Sequence, residues 1–288
     1  MHKFTRIFYL IFIYTVLSGI QSYSQNSLSE NLSLGVMTFN IRLDTREDGK
    51  NAWPYRKAAV IEMLQNTHPA IIGFQEVLHH QVEEIAKGLR GYVHFGVGRD
   101  DGKQGGEYCP IFFDSKVFSL IDSKTLWLSE TPDLPGSLGW DAGCKRLVSV
   151  VLLKEKSSGK ELYVLNTHFD HQGEKARIES AKMISRLCQE MIQNAPVILL
   201  GDLNASSETE IYRILTEQSS LKDAQTIAER KDEVDNCTFT GFDGDSCEHI
   251  DFIWMPQNAK VNLYKIILNQ TPQGWLSDHR PIYCKIEL

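Results

Sequence analysis

Ten short runs of β-branched and aromatic residues recur along this 288-residue chain, and most of them meet an acid, an amide or an imidazole at one end. They span 34–41, 70–76, 92–98, 108–113, 146–153, 161–169, 196–204, 249–255, 261–268 and 281–288. All have strand length and composition. Asn40 follows VMTF, Glu76 follows IIGFQ, and His168 and Asp170 sit in NTHFDH. Asp202 and Asn204 follow VILLG, Asp251 opens DFIWM, and Asp278-His279 precede the last run. An acid beside an apolar strand is costly to desolvate unless a partner or a metal compensates it. One such placement is ordinary; its repetition predicts convergence on a single cleft at the sheet ends.

Helical patterns fall between some of the runs. Ile178, Ala181, Ile184, Leu187, Cys188, Met191 and Ile192 form a 3.6-residue stripe that predicts a helix over 173–194. Pro54 opens a second helix, running to about Thr67, at the first-turn position proline tolerates. Others are expected over 78–89 and, after the capping signal SSETE, over 206–218. The absence of a helical pattern from 92 to 169 predicts antiparallel pairing there. Elsewhere, strand and helix alternate, which predicts mixed sheets with helices outside. One domain is expected over 25–288, with no repeat or linker.

Residues 1–24 have the composition of a cleaved leader. Lys3 and Arg6 precede an 11-residue apolar run, Ile7–Leu17, and small residues sit before Gln25. A bilayer span needs roughly 20 apolar residues, so export is expected and a stable membrane span is not. Removing the leader takes two cations and moves the net charge from −7 to −9. Such acidity argues against a general nucleic-acid binder, though not against an enzyme that meets a phosphate through a metal ion. Six cysteines in an exported chain raise disulfides. Cys237 and Cys247, bracketing TFTGFDGDS, are the first candidate pair, and Cys109 with Cys144 across adjacent strands is the second. Cys188 and Cys284 read as buried thiols.

Taken singly, each polar residue has a duller role: Glu76 near a helix N-terminus, Asn40 in a turn, His168 in a core, Asp251 at an edge. Together, TFNIR (38–42), GFQEV (73–77), NTHFDH (166–171), GDLNA (201–205), HIDFIW (249–254) and SDHRP (277–281) resemble the endonuclease/exonuclease/phosphatase superfamily, with its deoxyribonuclease-I-like fold. GGEYCPIFF (105–113) and LWLSETPD (126–133) look like an exported bacterial subgroup. The resemblance implies a four-layer αββα sandwich of two mixed, largely antiparallel β-sheets with helices on the outer faces. It implies a phosphoesterase that uses Mg2+, with Mn2+ as a substitute, to hydrolyse a phosphodiester or phosphomonoester by in-line attack of water. Position by position, Glu76 and Asn40 look like metal-side residues, with Asp278 sharing that duty. Asp202 would align or activate the water, Asn204 would bond a phosphoryl oxygen, His279 and His168 would contact the phosphate, and Asp251 would orient His279.

These residue types suit the chemistry. Magnesium takes oxygen ligands and keeps several waters, so one or two carboxylates suffice. Water needs a base, and the phosphoryl oxygens need positive charge. Arg42 stands where some relatives carry a second metal-side residue, which puts a two-metal arrangement in doubt. Glu107, Tyr108, Arg146, Asp170 and His171 are expected around the substrate, Arg146 as a phosphate clamp or in an ordinary ion pair. A dinuclear metallophosphatase is disfavoured, since neither Gly-Asn-His-Asp nor His-x-His occurs, and a serine hydrolase lacks its Gly-x-Ser-x-Gly elbow. A non-catalytic binding protein on the same scaffold would have lost site residues. The substrate stays open among phosphorylated small molecules, lipid head groups and nucleic acid, so secreted nuclease and sphingomyelinase-type activities stand as alternatives. A monomer is expected.

Overall fold

The computed structural model describes residues 33–232, 235–272 and 274–288, so the expected leader lies outside the described residues. The chain begins with β1 (Ser33–Asn40), α1 (Trp53–Thr67), β2 (Ile71–Gln75) and α2 (His79–Gly88). β3 (Tyr92–Phe95), β4 (Ile111–Asp114), β5 (Phe118–Trp127), β6 (Leu147–Glu155) and β7 (Glu161–His168) follow without a helix between them. Then come α3 (Glu174–Met191), β8 (Val197–Asp202), α4 (Glu210–Gln218), β9 (Leu221–Asp223), α5 (Ala224–Ile227), β10 (Lys231–Asp232), β11 (Asp251–Pro256) and β12 (Lys260–Ile266). A small hairpin, β13 (Gln270–Thr271) and β14 (Gly274–Trp275), precedes β15 (Ile282–Glu287).

These strands build a seven-stranded sheet, β10-β12-β15-β1-β2-β4-β3, and a six-stranded sheet, β5-β6-β7-β8-β11-β9. Among the described strands, only β1–β2, β7–β8 and β10–β12 pair in parallel. Because successive strand side chains point to opposite faces, a strand buried on both sides feeds two cores. Val36 and Ile71 pack between the sheets with Val164, Ile198 and Leu200 of the other layer. Met37 and Ile72 pack outward with Val60, Leu64, Val82 and Ile85. On the far side, Val148, Leu165 and Leu199 pack under Ala181, Ile184 and Cys188 of α3 and Ile211 and Leu215 of α4. Three apolar layers therefore separate four structural ones, and the fold is the αββα sandwich.

Several elements depart from the sequence expectation. β5 carries no continuous apolar run: it is an edge strand with a bulge between Leu120 and Asp122 and several exposed positions. β3 ends at Phe95 and β4 starts only at Ile111, after Pro110, which has no N–H to give a ladder. α4 starts at Glu210, because the Ser206 carbonyl accepts from the Thr209 N–H and hydroxyl in a turn, and Thr209 then caps Tyr212. Cys237 and Cys247 form a disulfide, with Cα atoms 4.9 Å apart. Cys109 and Cys144 are free thiols, contrary to the second expected pairing. Cys109 precedes β4 in one sheet and Cys144 precedes β6 in the other, so they do not lie on adjacent strands. Cys188 and Cys284 are buried thiols.

The two sheets approach closely at Gly73 on β2. A methyl group there would sit 2.7 Å from Asn166 Oδ1 and 2.9 Å from Leu200 Cδ1. Asn166 on β7 donates across the gap to the carbonyls of Phe74 (2.7 Å) and Pro110 (3.0 Å), and it accepts from Gln75 Nε2 (2.6 Å). Gly73→Ala should therefore cost about 1–3 kcal/mol of stability by overpacking. Urea denaturation measures it; an unchanged midpoint would show that the sheets separate freely at this point.

Candidate active site

Strand register assembles the site before any loop is considered. On the six-stranded sheet His168 of β7 pairs in register with Asp202 of β8, and Asp202 with Asp251 of β11. On the seven-stranded sheet Asn40 of β1 pairs with Gln75 of β2, which places Glu76 one residue beyond the ladder. The two rims face each other. Asn40 Nδ2 donates to Glu76 Oε1 at 3.1 Å and, across the gap between sheets, to Asp202 Oδ2 at 3.0 Å. Ser277, next to Asp278, donates to the Asn40 carbonyl at 2.8 Å and so ties the last loop to the same rim.

Three non-glycine residues of this rim, Arg42, Glu76 and Asn204, have positive φ of 59°, 59° and 47°. Such backbone is strained and persists only where its surroundings hold it. Arg42 is held through its carbonyl, which accepts from Arg56 (3.2 Å) and Gln81 (3.1 Å), and through its N–H, given to Asn40 Oδ1 (3.0 Å). Asn204 is held by its N–H to Asp202 Oδ1 at 2.9 Å.

His279 and Asp251 form a buried pair, Nδ1 to Oδ2 at 2.9 Å, and His279 Nε2 lies 3.8 Å from Asp202. Burial by itself would lower the imidazole's pKa, but the carboxylates of Asp251, Asp202 and Asp278 outweigh it and raise the value to about 10. Asp202 is pushed up by burial and by the Asp251 charge, against the pull of His279 and the Asn40 hydrogen bond. His168 moves the other way, well down, through burial and the nearby Arg146 and Arg99. Its Nε2 lies 2.9 Å from the Asn204 amide nitrogen, which also donates to the Phe169 carbonyl at 3.0 Å. Both amide hydrogens of Asn204 are thus spent within the protein. Asn204 lines the cleft beside His168, with its amide nitrogen turned toward that ring and the Phe169 carbonyl.

Among the described residues, two groups of side chains bring ligand atoms within 4.8 Å of one another, Asp202–Asp251–His279 and Cys144–Asp170–His171. Neither donor set suits a hard cation. In the first, His279 is charged and bonded to Asp251. In the second, Asp170 already accepts from the N–H groups of Gly143, Cys144, Gln172 and Gly173. Burial alone would raise the Asp170 pKa, but those four donors bring it down to about 2. Glu76 and Asp278 form the better-matched pair, both oxygen donors, with Asn40 behind them giving its amide N–H groups to Glu76 and Asp202. Glu76 and Asp278 each lie 3.8 Å from the Arg42 guanidinium, at different nitrogens, and Asp278 is raised by burial and by the Glu76 charge.

Glu76, His168, Asp202, Asn204, Asp278 and His279 line a cleft of about 410 Å³, with Asn40 and Asp251 behind them. Glu107, Arg146 and His171 line it too, with Arg42, Arg99, Phe239, Glu248 and Ile250; sequence patterns do not single out the last three as site residues. Tyr108 is a correction. Its ring is buried in the core under α2, its hydroxyl donates to the Lys103 carbonyl at 2.7 Å, and it does not line the cleft. Asp170 also stands behind the wall, organising the loop that carries Cys144.

A layered sandwich with acids, amides and imidazoles at one rim is a fold of phosphoesterase and nuclease type. Residues 37–279 match the Endonuclease/Exonuclease/phosphatase family, and the chain belongs to it. A solved member from Bacteroides vulgatus is 38% identical, with a TM-score of 0.86 over 90% of this chain and 100% of that one. The Bacteroides thetaiotaomicron mannosyl-6-phosphatase Bt3783 is 33% identical, with a TM-score of 0.83 over 88% and 99%. Nocturnin from Drosophila melanogaster is 22% identical over 82% of this chain, which spans only 42% of that protein.

The buried His279–Asp251 pair makes a pH prediction. The folded pKa lies above the ordinary imidazole value, so its stabilisation is full below that value and is lost as pH rises through about 10. Asp251→Asn should bring the His279 titration, followed by NMR, down by at least one unit (about 1.4 kcal/mol). A titration that does not move would remove Asp251 as the source of the shift.

Proposed function

We propose that this chain is an exported, divalent-cation-dependent phosphoesterase acting on the phosphate ester of a small soluble alcohol. The observation that carries the proposal is the position of Asp202, buried at the meeting of the two rims and hydrogen-bonded by Asn40 and the Asn204 N–H. An acid with a raised pKa, held by fixed donors, suits the alignment of a water and the removal of its proton. The water would attack phosphorus in line with the leaving oxygen. His279, held charged by Asp251, donates to the phosphoryl oxygens as their charge grows. His168 and Asn204 hold the opposite flank of Asp202, with His168 Nε2 at 3.5 Å from its carboxylate.

Glu76 and Asp278, with Asn40 positioning Glu76, would hold a magnesium or manganese ion, which when bound supplies positive charge to the phosphoryl and leaving oxygens. The likeness to Bt3783 supports a soluble ester as substrate, as does a cleft with few aromatic walls. The leader composition and the Cys237–Cys247 disulfide support export, since disulfides persist in oxidising compartments. Among the described residues, no helix is long and apolar enough to cross a membrane.

Asp202→Ala should lower kcat by about 10²–10⁴-fold in magnesium-dependent assays on p-nitrophenyl phosphate, bis-p-nitrophenyl phosphate, sugar phosphates and DNA. Full activity in that variant would sink the assignment. Glu76→Ala should weaken magnesium binding by calorimetry and raise the magnesium concentration needed for turnover; unaltered binding would move the cation elsewhere. Amino-terminal sequencing of the secreted protein should begin at Gln25, and an unprocessed cytoplasmic chain would refute export.

A further inference from the structure

Part of the cleft wall is not used by the mechanism above. Arg146, whose side chain is 7% exposed, gives one nitrogen to His171 Nδ1 at 3.2 Å. Its Nε and its other terminal nitrogen are buried without a hydrogen-bond partner. The nearest carboxylates are too far for such bonds, Glu107 at 3.9 Å and Asp170 at 3.7 Å. Glu107 is gripped from one side by Arg99, at 2.6 and 2.7 Å. A carboxylate has about four lone-pair sites, so Glu107 retains accepting capacity beside donors that Arg146 has not spent. Buried polar groups rarely stay unsatisfied, and the cost of leaving them so selects a ligand that completes them.

The chemistry of that ligand follows from the pattern. An anion could accept from Arg146 but would be repelled by Glu107 and Asp170. An ammonium group could donate to Glu107 but would meet Arg99 and Arg146. A hydroxyl does both, donating to the carboxylate and accepting from the guanidinium. Adjacent hydroxyls on one molecule would engage several of these groups together. Phe239, on the cleft wall, packs against His279 with centroids 5.0 Å apart and so stands with the catalytic rim.

We propose that Glu107 and Arg146 form a hydroxyl-binding subsite for the leaving alcohol, so that the preferred ester is a polyol phosphate, such as that of a sugar or cyclitol. The subsite rests on the phosphoesterase proposal for the catalytic rim. Its test is a ratio, kcat/KM for mannose 6-phosphate over kcat/KM for p-nitrophenyl phosphate, measured for wild type, Glu107→Gln and Arg146→Lys. Loss of one charged hydrogen bond should lower that ratio by about 10- to 100-fold in each variant. A ratio unchanged in both variants overturns the subsite, since a purely structural or catalytic role lowers both rates alike. Saturation-transfer NMR with free mannose and myo-inositol decides the matter without turnover. Transfer to either polyol in wild type, diminished in Glu107→Gln, supports the subsite, and no transfer to either overturns it. Should wild type hydrolyse no ester at all, the phosphoesterase proposal fails, and the NMR result still decides the subsite.

Discussion

One amide joins the halves of this molecule at the place where its chemistry is concentrated. Asn40 stands on the seven-stranded sheet and donates both to Glu76, beside it, and to Asp202, on the six-stranded sheet. An acid buried like Asp202 needs fixed donors to remain useful, and Asn40 supplies one from across the sandwich. The separation of the sheets is therefore also the separation of Glu76 and Asn40 on one rim from Asp202 on the other. Gly73 and Asn166 set that spacing deeper in the same gap.

The rim collects costs that the rest of the fold sustains. Four carboxylates, Glu76, Asp202, Asp251 and Asp278, lie close to one another, and three nearby residues adopt left-handed backbone. Charge is balanced locally: His279 answers Asp251, Arg42 lies between Glu76 and Asp278, and Arg99 answers Glu107. Arg56, itself buried, braces the loop behind Arg42 through the carbonyls of Ile41, Arg42 and Leu276. Strain held by packing in this way keeps the acids pointed at the cleft instead of at solvent.

Much of the framework is legible in the chain because strands buried on two faces must be apolar almost throughout. VILLG and IIGFQ announce themselves for that reason, and a polar residue at their ends stands out against them. β5 is hard to read because an edge strand needs only one apolar face. Tyr108 misleads because a tyrosine can spend its hydroxyl on a backbone carbonyl and bury its ring, which sequence position does not distinguish from a cleft wall. Asn204 stands at the rim as its motif implies, yet its bonding partners, His168 and the Phe169 carbonyl, follow from the approach of β7 to β8.

The sequence by itself marked ten of the strands and the four longer helices, because periodicity and burial act over a few residues, and it marked the polar groups at the strand ends. Tertiary structure decided which of those groups meet. Register aligns His168, Asp202 and Asp251, and the stacking of the sheets brings Asn40 to Asp202 over 162 residues of chain. It also decided that Cys237 pairs with Cys247 while Cys109 and Cys144 stay apart, since belonging to different sheets is a property no local pattern contains.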